Sequence, residues 1–329
     1  MSQTGLAPPP CPGLLAAWRF RPGEAPEPLD DAAAAAAIAA GELGLWLHFG
    51  LADVRSRATI ASLPLSPAAR AALLEPDEAT HLDVVGGTLC GTIPDFHFDS
   101  ERREAAELAL LHLALGPGLL VTARRHPLSV VGAVARGPRG EHPGMALSAI
   151  LRGIAEAAGQ AIQAMSEHLA RLEDALLHDP DLADERVALA ALRRAALRLE
   201  RSFGATAEAL VELEADPPED MTAEVFGPVL HEARRFGALL RSLAAVKERG
   251  RIAQDELAGL LAEQTNQRLF VLSVISAVML PPALIAGIFG MNVGSLPGVE
   301  ASWGFPVAMA LILGSIAAVL VALRWFRLM

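Results

Sequence analysis

Asn292 closes the tripeptide Gly290-Met291-Asn292, directly after a long charge-free run. A carboxamide oxygen is a hard, neutral ligand. Set around an opening, such oxygens hold a hydrated divalent cation through its water shell, weakly enough to release it. Counting back from Asn292 in alternating steps of three and four gives Gly287, Ala283, Leu280, Ser276, Ser273 or Leu272, Leu269 and Asn266. These share one helix face of small, weakly polar and aliphatic residues. Such a face lines a narrow pore, or it lets helices pack closely with no pore at all, and the spacing allows both. Leu280, Leu272 and Leu269 would be apolar constrictions that gate by dewetting. Asp255 lies eleven residues before Asn266, about three turns, and would place a carboxylate on the same face. Glu300 is the one acid between Asn292 and the C-terminus and would concentrate cations ahead of the opening. Met291 carries a thioether that suits soft metals, so it reads as a packing residue.

Elsewhere the signals for chemistry are weak. Asp95, His97 and Asp99 alternate, which on a strand puts all three on one face as regulatory metal ligands; a solvated edge strand gives the same pattern. The run Arg124-Arg125-His126 reads as surface charge. No Ser/His/Asp or Cys/His arrangement and no nucleotide-binding loop is present, so neither an enzyme nor a resident cofactor is expected. Cys11 and Cys90 have no ligand or redox spacing and fit a reducing compartment. Removing Glu300, Arg324 and Arg327 from the totals of 38 acidic and 27 basic residues leaves 37 against 25 for residues 1–268, a net of −12. Such a surface attracts cations and repels nucleic acid.

The elements that must position the Asn292 face are two apolar runs, Leu269 to Phe289 and Gly304 to Leu323. Each is long enough to cross the roughly 30 Å core of a bilayer as a helix. Trp303 and Trp325 bracket the second run at the two interfaces. Arg268, Arg324 and Arg327 flank the hairpin, and the loop between has no Lys or Arg, which places both termini in the cytoplasm. The runs contain no His, Cys or titratable group. A dry zinc site and an intramembrane proton relay are therefore not expected. The N-terminus has neither a basic region nor an apolar core of the signal-peptide kind, so the spans themselves would direct insertion.

Before the hairpin, residues 14 to 135 mix strand-like runs such as GLWLHFGLAD with predicted helices at Asp30 to Ala40, Ser66 to Leu74 and Ser100 to Leu115. Long helical patterns follow at Met145 to His178 and Leu182 to Glu214, and a third runs from near Met221 to Phe289, with Gly227-Pro228 and Pro281-Pro282 as kink sites. The expected organisation is an α+β domain with a mixed sheet over residues 1–143, an antiparallel helical pair over 144–216 and a stalk helix over 217–268. The first span follows at 269–290, the external loop at 291–303 and the second span at 304–324.

The segment AEQTNQRLFVLSVISAVMLPPALIAGIFGMN, with its following span and short basic tail, resembles the CorA family of divalent-cation channels and transporters. The continuation GMNVGSLPG is most similar to the family's zinc-transporting ZntB branch. One departure is Ala283, where the family commonly has a threonine two residues after the span's proline. The resemblance implies a homopentameric funnel in the bacterial inner (plasma) membrane, with first spans around the pore and second spans outside. It makes Gly290, Met291 and Asn292 the selectivity filter and a divalent cation, zinc or magnesium, the cargo. The implied activity is zinc uptake, with proton coupling a further implication. The alternatives are a magnesium or cobalt channel and a non-conducting membrane-anchored sensor or scaffold.

Overall fold

The structure, a computed structural model, describes residues 11–75, 79–97, 108–176, 183–291 and 303–325. It divides into two compact units, residues 1–253 and 254–329. In the first, seven strands form one mixed sheet: β1 (Leu14–Arg19), β2 (Glu27–Leu29), β3 (Leu45–Gly50), β4 (His81–Val85), β5 (Thr88–Phe96), β6 (Leu108–Leu115) and β7 (Leu119–Arg124). Their order is β2-β1-β3-β7-β6-β5-β4, and only β3 and β7 pair in parallel.

Three short helices, α1 (Asp31–Ala39), α2 (Val54–Ser62) and α3 (Pro67–Leu74), cover one face. Each has a local start signal: the side chains of Asp30, Asp53 and Ser66 accept hydrogen bonds from the amides of Ala33, Arg55 and Ala69. The core on this face joins Leu47 and Phe49 of β3 to Ile60, Leu63, Ala69 and Leu73 of the helices. Full burial of such side chains stabilises by roughly 1.5–3 kcal/mol each. Strand periodicity sends Trp46, His48 and Thr122 to the opposite face, which α4 (Ser129–Val134) and the long α5 (Pro143–Leu176) cover.

The region predicted as a helix at Ser100 to Leu115 is corrected. Leu108–Leu115 is the strand β6, while 98–107 lie outside the described residues. β6 runs between β5 and β7, buried on both sides, so its sequence LALLHLAL shows no polar alternation to distinguish it from a helix.

The helical part begins with α5 and α6 (Ala183–Ala215), close to the expected pair. The third pattern is not one helix. α7 (Ala223–Leu230) ends two residues after Pro228, which denies it a backbone donor, and α8 (Ala233–Phe289) restarts past His231 and Glu232. A β-carbon at Gly144 of α5 would collide with the carbonyl oxygen of Val225, so α5 and α7 approach where only glycine fits. Glu232 fixes this junction. Its side chain is buried, accepts from Ser148 Oγ at 3.1 Å, and pairs with Arg152 at 3.0 Å and Arg235 at 2.9 Å. Phe203 of α6 stacks between Phe96 and Phe236 at centroid distances of 6.2 and 6.3 Å, and Arg249 pairs with Glu173 at 2.6 Å.

In the second unit, the end of α8 and α9 (Gly304–Trp325) are long and apolar enough to cross a membrane.

Both arginines at Glu232 are about half exposed, so Glu232→Ala lets them return to water but forfeits a charge-assisted network. The expected cost is about 1–3 kcal/mol. Thermal unfolding of the full chain checks it, and an unchanged melting temperature would show that the junction does not depend on Glu232.

Candidate cation-conducting face

α8 continues as a helix through Pro281-Pro282 to Phe289, so the whole candidate face from Asp255 to Gly287 rides on one element. At about 100° per residue, Asp255, Asn266, Leu269, Leu272, Ser273, Ser276, Leu280, Ala283 and Gly287 fall within an arc of about 120°. All of them are exposed. The leucines decide how bare the face is: Leu269, Leu272 and Leu280 are 55%, 60% and 73% exposed. A second stripe of α8 is half-buried, formed by Val274, Val278, Pro281, Pro282, Ile285 and Phe289, and it lies roughly opposite on the helix. α9 has a stripe of the same periodicity, at Ala308, Ile312, Ser315, Ile316, Val319 and Leu323. The half-buried stripes leave the rest of each helix exposed. The candidate face is thus on the side of α8 that this chain leaves bare.

Ser276 Oγ donates to the carbonyl of Leu272 at 2.8 Å, which satisfies its proton inside the helix and leaves oxygen lone pairs outward. Nothing stands within 4 Å of where a β-carbon on Gly287 would sit. The helix closes with the Gly290 amide on Ala286 at 2.9 Å and the Met291 amide on Ile288 at 3.3 Å. Met291 is exposed; Asn292 and Glu300 lie outside the described residues.

The structure corrects the edge-strand expectation for Asp95 and His97. β5 is an interior strand between β4 and β6, and Asp95 is fully buried. Its Oδ1 accepts from the amides of Phe96 at 2.6 Å and Val130 at 3.2 Å, and its Oδ2 accepts from Val131 at 2.9 Å. It therefore ties β5 to the start of α4, whose own leading residue Leu128 makes no side-chain cap. His97 pairs by backbone with Leu128, and its ring lies 5.7 Å from that of His126. Asp99 lies outside the described residues. Among the described residues no group of three or more His, Cys, Asp or Glu stands together as a metal site. Arg125 and His126 are exposed as expected, but Arg124 is half-buried.

Residues 42–328 match the family model described as CorA-like Mg2+ transporter protein. The chain belongs to this family. Its members are transporters rather than enzymes. A similar curated protein is the zinc transport protein ZntB of Yersinia enterocolitica, 24% identical over 274 residues, or 82% of this chain and 83% of that one. Among solved structures, full-length CmaX matches at a TM-score of 0.78 and 19% identity, covering 98% of this chain and 99% of that chain. The CorA magnesium transporter from Methanocaldococcus jannaschii matches at 0.72 and 18%, covering 94% and 96%. At these identities the structural likeness establishes the CorA-like fold: a mixed-sheet domain, long helices and two apolar C-terminal helices.

Burial, despite the three amides and Arg124, raises the Asp95 carboxyl above its ordinary value of 3.8. A raised folded value means that Asp95's contribution is complete below 3.8 and declines as pH rises through the folded value. Asp95→Asn loses one acceptor and turns an amide toward the Val131 N–H, at an expected cost of about 1–3 kcal/mol. Thermal melts of both forms against pH should show the gap largest below the ordinary value; a gap that widens with rising pH would reverse the assignment.

Proposed function

We propose that this chain carries a divalent metal cation inward across the bacterial inner membrane as a homopentamer, with α8 around the pore, α9 outside and both termini cytoplasmic. The observation that carries the reading is the bare face of α8 opposite its half-buried stripe. Two spans cannot enclose a water path, because an aqueous lumen must be walled on every side. Copies arranged in a ring cover that face with one another and direct Asn266 to Gly287 at the axis. At the outer end, Gly290, Met291 and Asn292 form the filter, with the carboxamides of Asn292 holding the ion through its water shell. Glu300 gathers cations outside, and Asp255 receives them at the cytoplasmic end.

Zinc is the proposed cargo, supported by the ZntB relatives. The spans offer zinc no imidazole or thiolate, so it passes hydrated. The same hydrated-ion filter suits magnesium, and the family description favours that second reading. Flux of each ion into proteoliposomes, with and without a proton gradient, separates them. A purified assembly that binds cations and passes neither would instead make the chain a membrane-anchored scaffold.

Asn292→Ala should cut divalent uptake by about tenfold or more while assembly is retained, the loss expected when charge-assisted contacts to the ion's shell are removed. Wild-type uptake by an intact Asn292→Ala assembly would remove the filter assignment. Leu280→Asn should wet the constriction and raise leak flux. If its flux is equal or lower in a correctly assembled protein, Leu280 does not gate.

A further inference from the structure

β3 and β7 end side by side, and the chain leaves them in different directions: α2 goes to the face that holds Phe49, while α4 goes to the face that holds His48. Crevices outside the carboxyl ends of such strands are where open sheets of mixed topology take up ligands. A cavity of about 340 Å³ lies here, lined among others by Leu15, His48, Arg124, Leu128, Gly132 and Arg136. Among the described residues no acidic side chain lines it.

His48 is 2% exposed. Its Nδ1 lies 2.8 Å from Thr122 Oγ1, which also accepts from Trp46 Nε1 at 2.8 Å. An indole can only donate, which leaves the single hydroxyl proton of Thr122 free to go to Nδ1. In that arrangement the ring proton of His48 is on Nε2. Nε2 is buried and has no partner, and burial together with Arg124 holds the ring neutral, its pKa lowered to about 3. Arg124 Nε is also buried without a partner. Asp95 attracts Arg124 electrostatically, but its oxygens already accept from three amides. Arg136 is exposed on the cavity's lining. Trp18 Nε1 donates to the carbonyl of Ala135 at 3.0 Å and holds the end of α4 in place. Buried polar groups are normally paired, and here two nitrogens without hydrogen-bond partners belong to residues that line a cavity with two guanidinium groups.

We propose that this cavity binds a small organic anion, a carboxylate or phosphate carried on an apolar body. The anionic oxygens sit between the guanidinium groups of Arg124 and Arg136, beside His48, and the body lies against Leu15 and Leu128. Guanidinium forks match the planar oxygens of both anions, and a neutral imidazole beside them adds no competing charge. The apolar wall and the size exclude polyanions such as nucleoside triphosphates. The site is independent of conduction and stands or falls apart from the transport reading.

The test is isothermal titration of the full chain in detergent with inorganic phosphate and, separately, with benzoate, at constant ionic strength. Saturable binding of at least one anion is expected. A response to phosphate alone identifies a phosphate ligand, and tighter benzoate binding identifies a carboxylate on an apolar body. Arg136→Gln, on the surface, should weaken binding about tenfold or more. Gly132→Leu fills space that is open within 4 Å of its β-carbon position and should abolish binding with both arginines retained. The Nε2–H resonance of His48 should shift on binding. No saturable binding of either anion, or equal binding by wild type and both variants, overturns the proposal.

Discussion

Hydrocarbon offers a polypeptide no hydrogen-bond partner, and the membrane end of this chain is built around that constraint. Both apolar segments are helices because only an internally bonded backbone is tolerated there. α8 keeps its path through Pro281 and Pro282, although neither can donate to the carbonyls of Ala277 and Val278. The two prolines belong to the half-buried stripe. The proline rings are thus on the half-buried side, and the bare face keeps an uninterrupted run of small and aliphatic residues. The exposed face of α8 is what the proposed ring of copies would cover.

In the soluble unit, three buried ionisable groups show three ways to meet the cost of leaving water. Asp95 spends its oxygens on the amides of β5 and α4, which positions a short helix lacking a side-chain cap of its own. Glu232 is paired to arginines on α5 and α8 and locks the break between α7 and α8. His48 stays neutral and shares the hydroxyl of Thr122 with Trp46 across the parallel pair β3 and β7. The first two are held by amides or by paired arginines and serve the fold. The third lines a cavity together with two arginines, which is why it reads as binding chemistry and the others do not.

Much of this was legible in the sequence, and the failures have physical causes. The spans followed from length and lack of charge, and the starts of α1 and α3 from Asp30 and Ser66. β6 was missed because a strand buried on both faces loses its alternation, and the preceding charged residues completed a helical period. Asp95 looked like an edge-strand residue because its partners, Val130 and Val131, lie 35 and 36 positions away. Arg124 looked like surface charge because adjacent Arg125 and His126 are exposed, and only the sheet shows that the strand turns Arg124 alternately inward. The candidate face could be counted off in steps of three and four. Its bareness, the property that separates it from the other side of α8, is not carried by the spacing and is seen only in the fold.

The spans also limit how transport can be driven. They contain no titratable side chain, so a proton cannot be handed across the membrane by residues of this chain within the hydrocarbon. For the proposed inward transport the membrane potential would be the direct source of work. Moving two charges inward through 100 mV contributes about 4.6 kcal/mol, enough for a concentration ratio above a thousandfold. The proposed pathway of carboxamides, hydroxyls and leucines would add little to that drive, because it would neither strip the ion nor hold it tightly. Its part would be to keep the opposing barrier low and to close when its leucines dewet. Any proton dependence must then enter through bound water or through groups outside the spans, where this chain keeps nearly all of its charge.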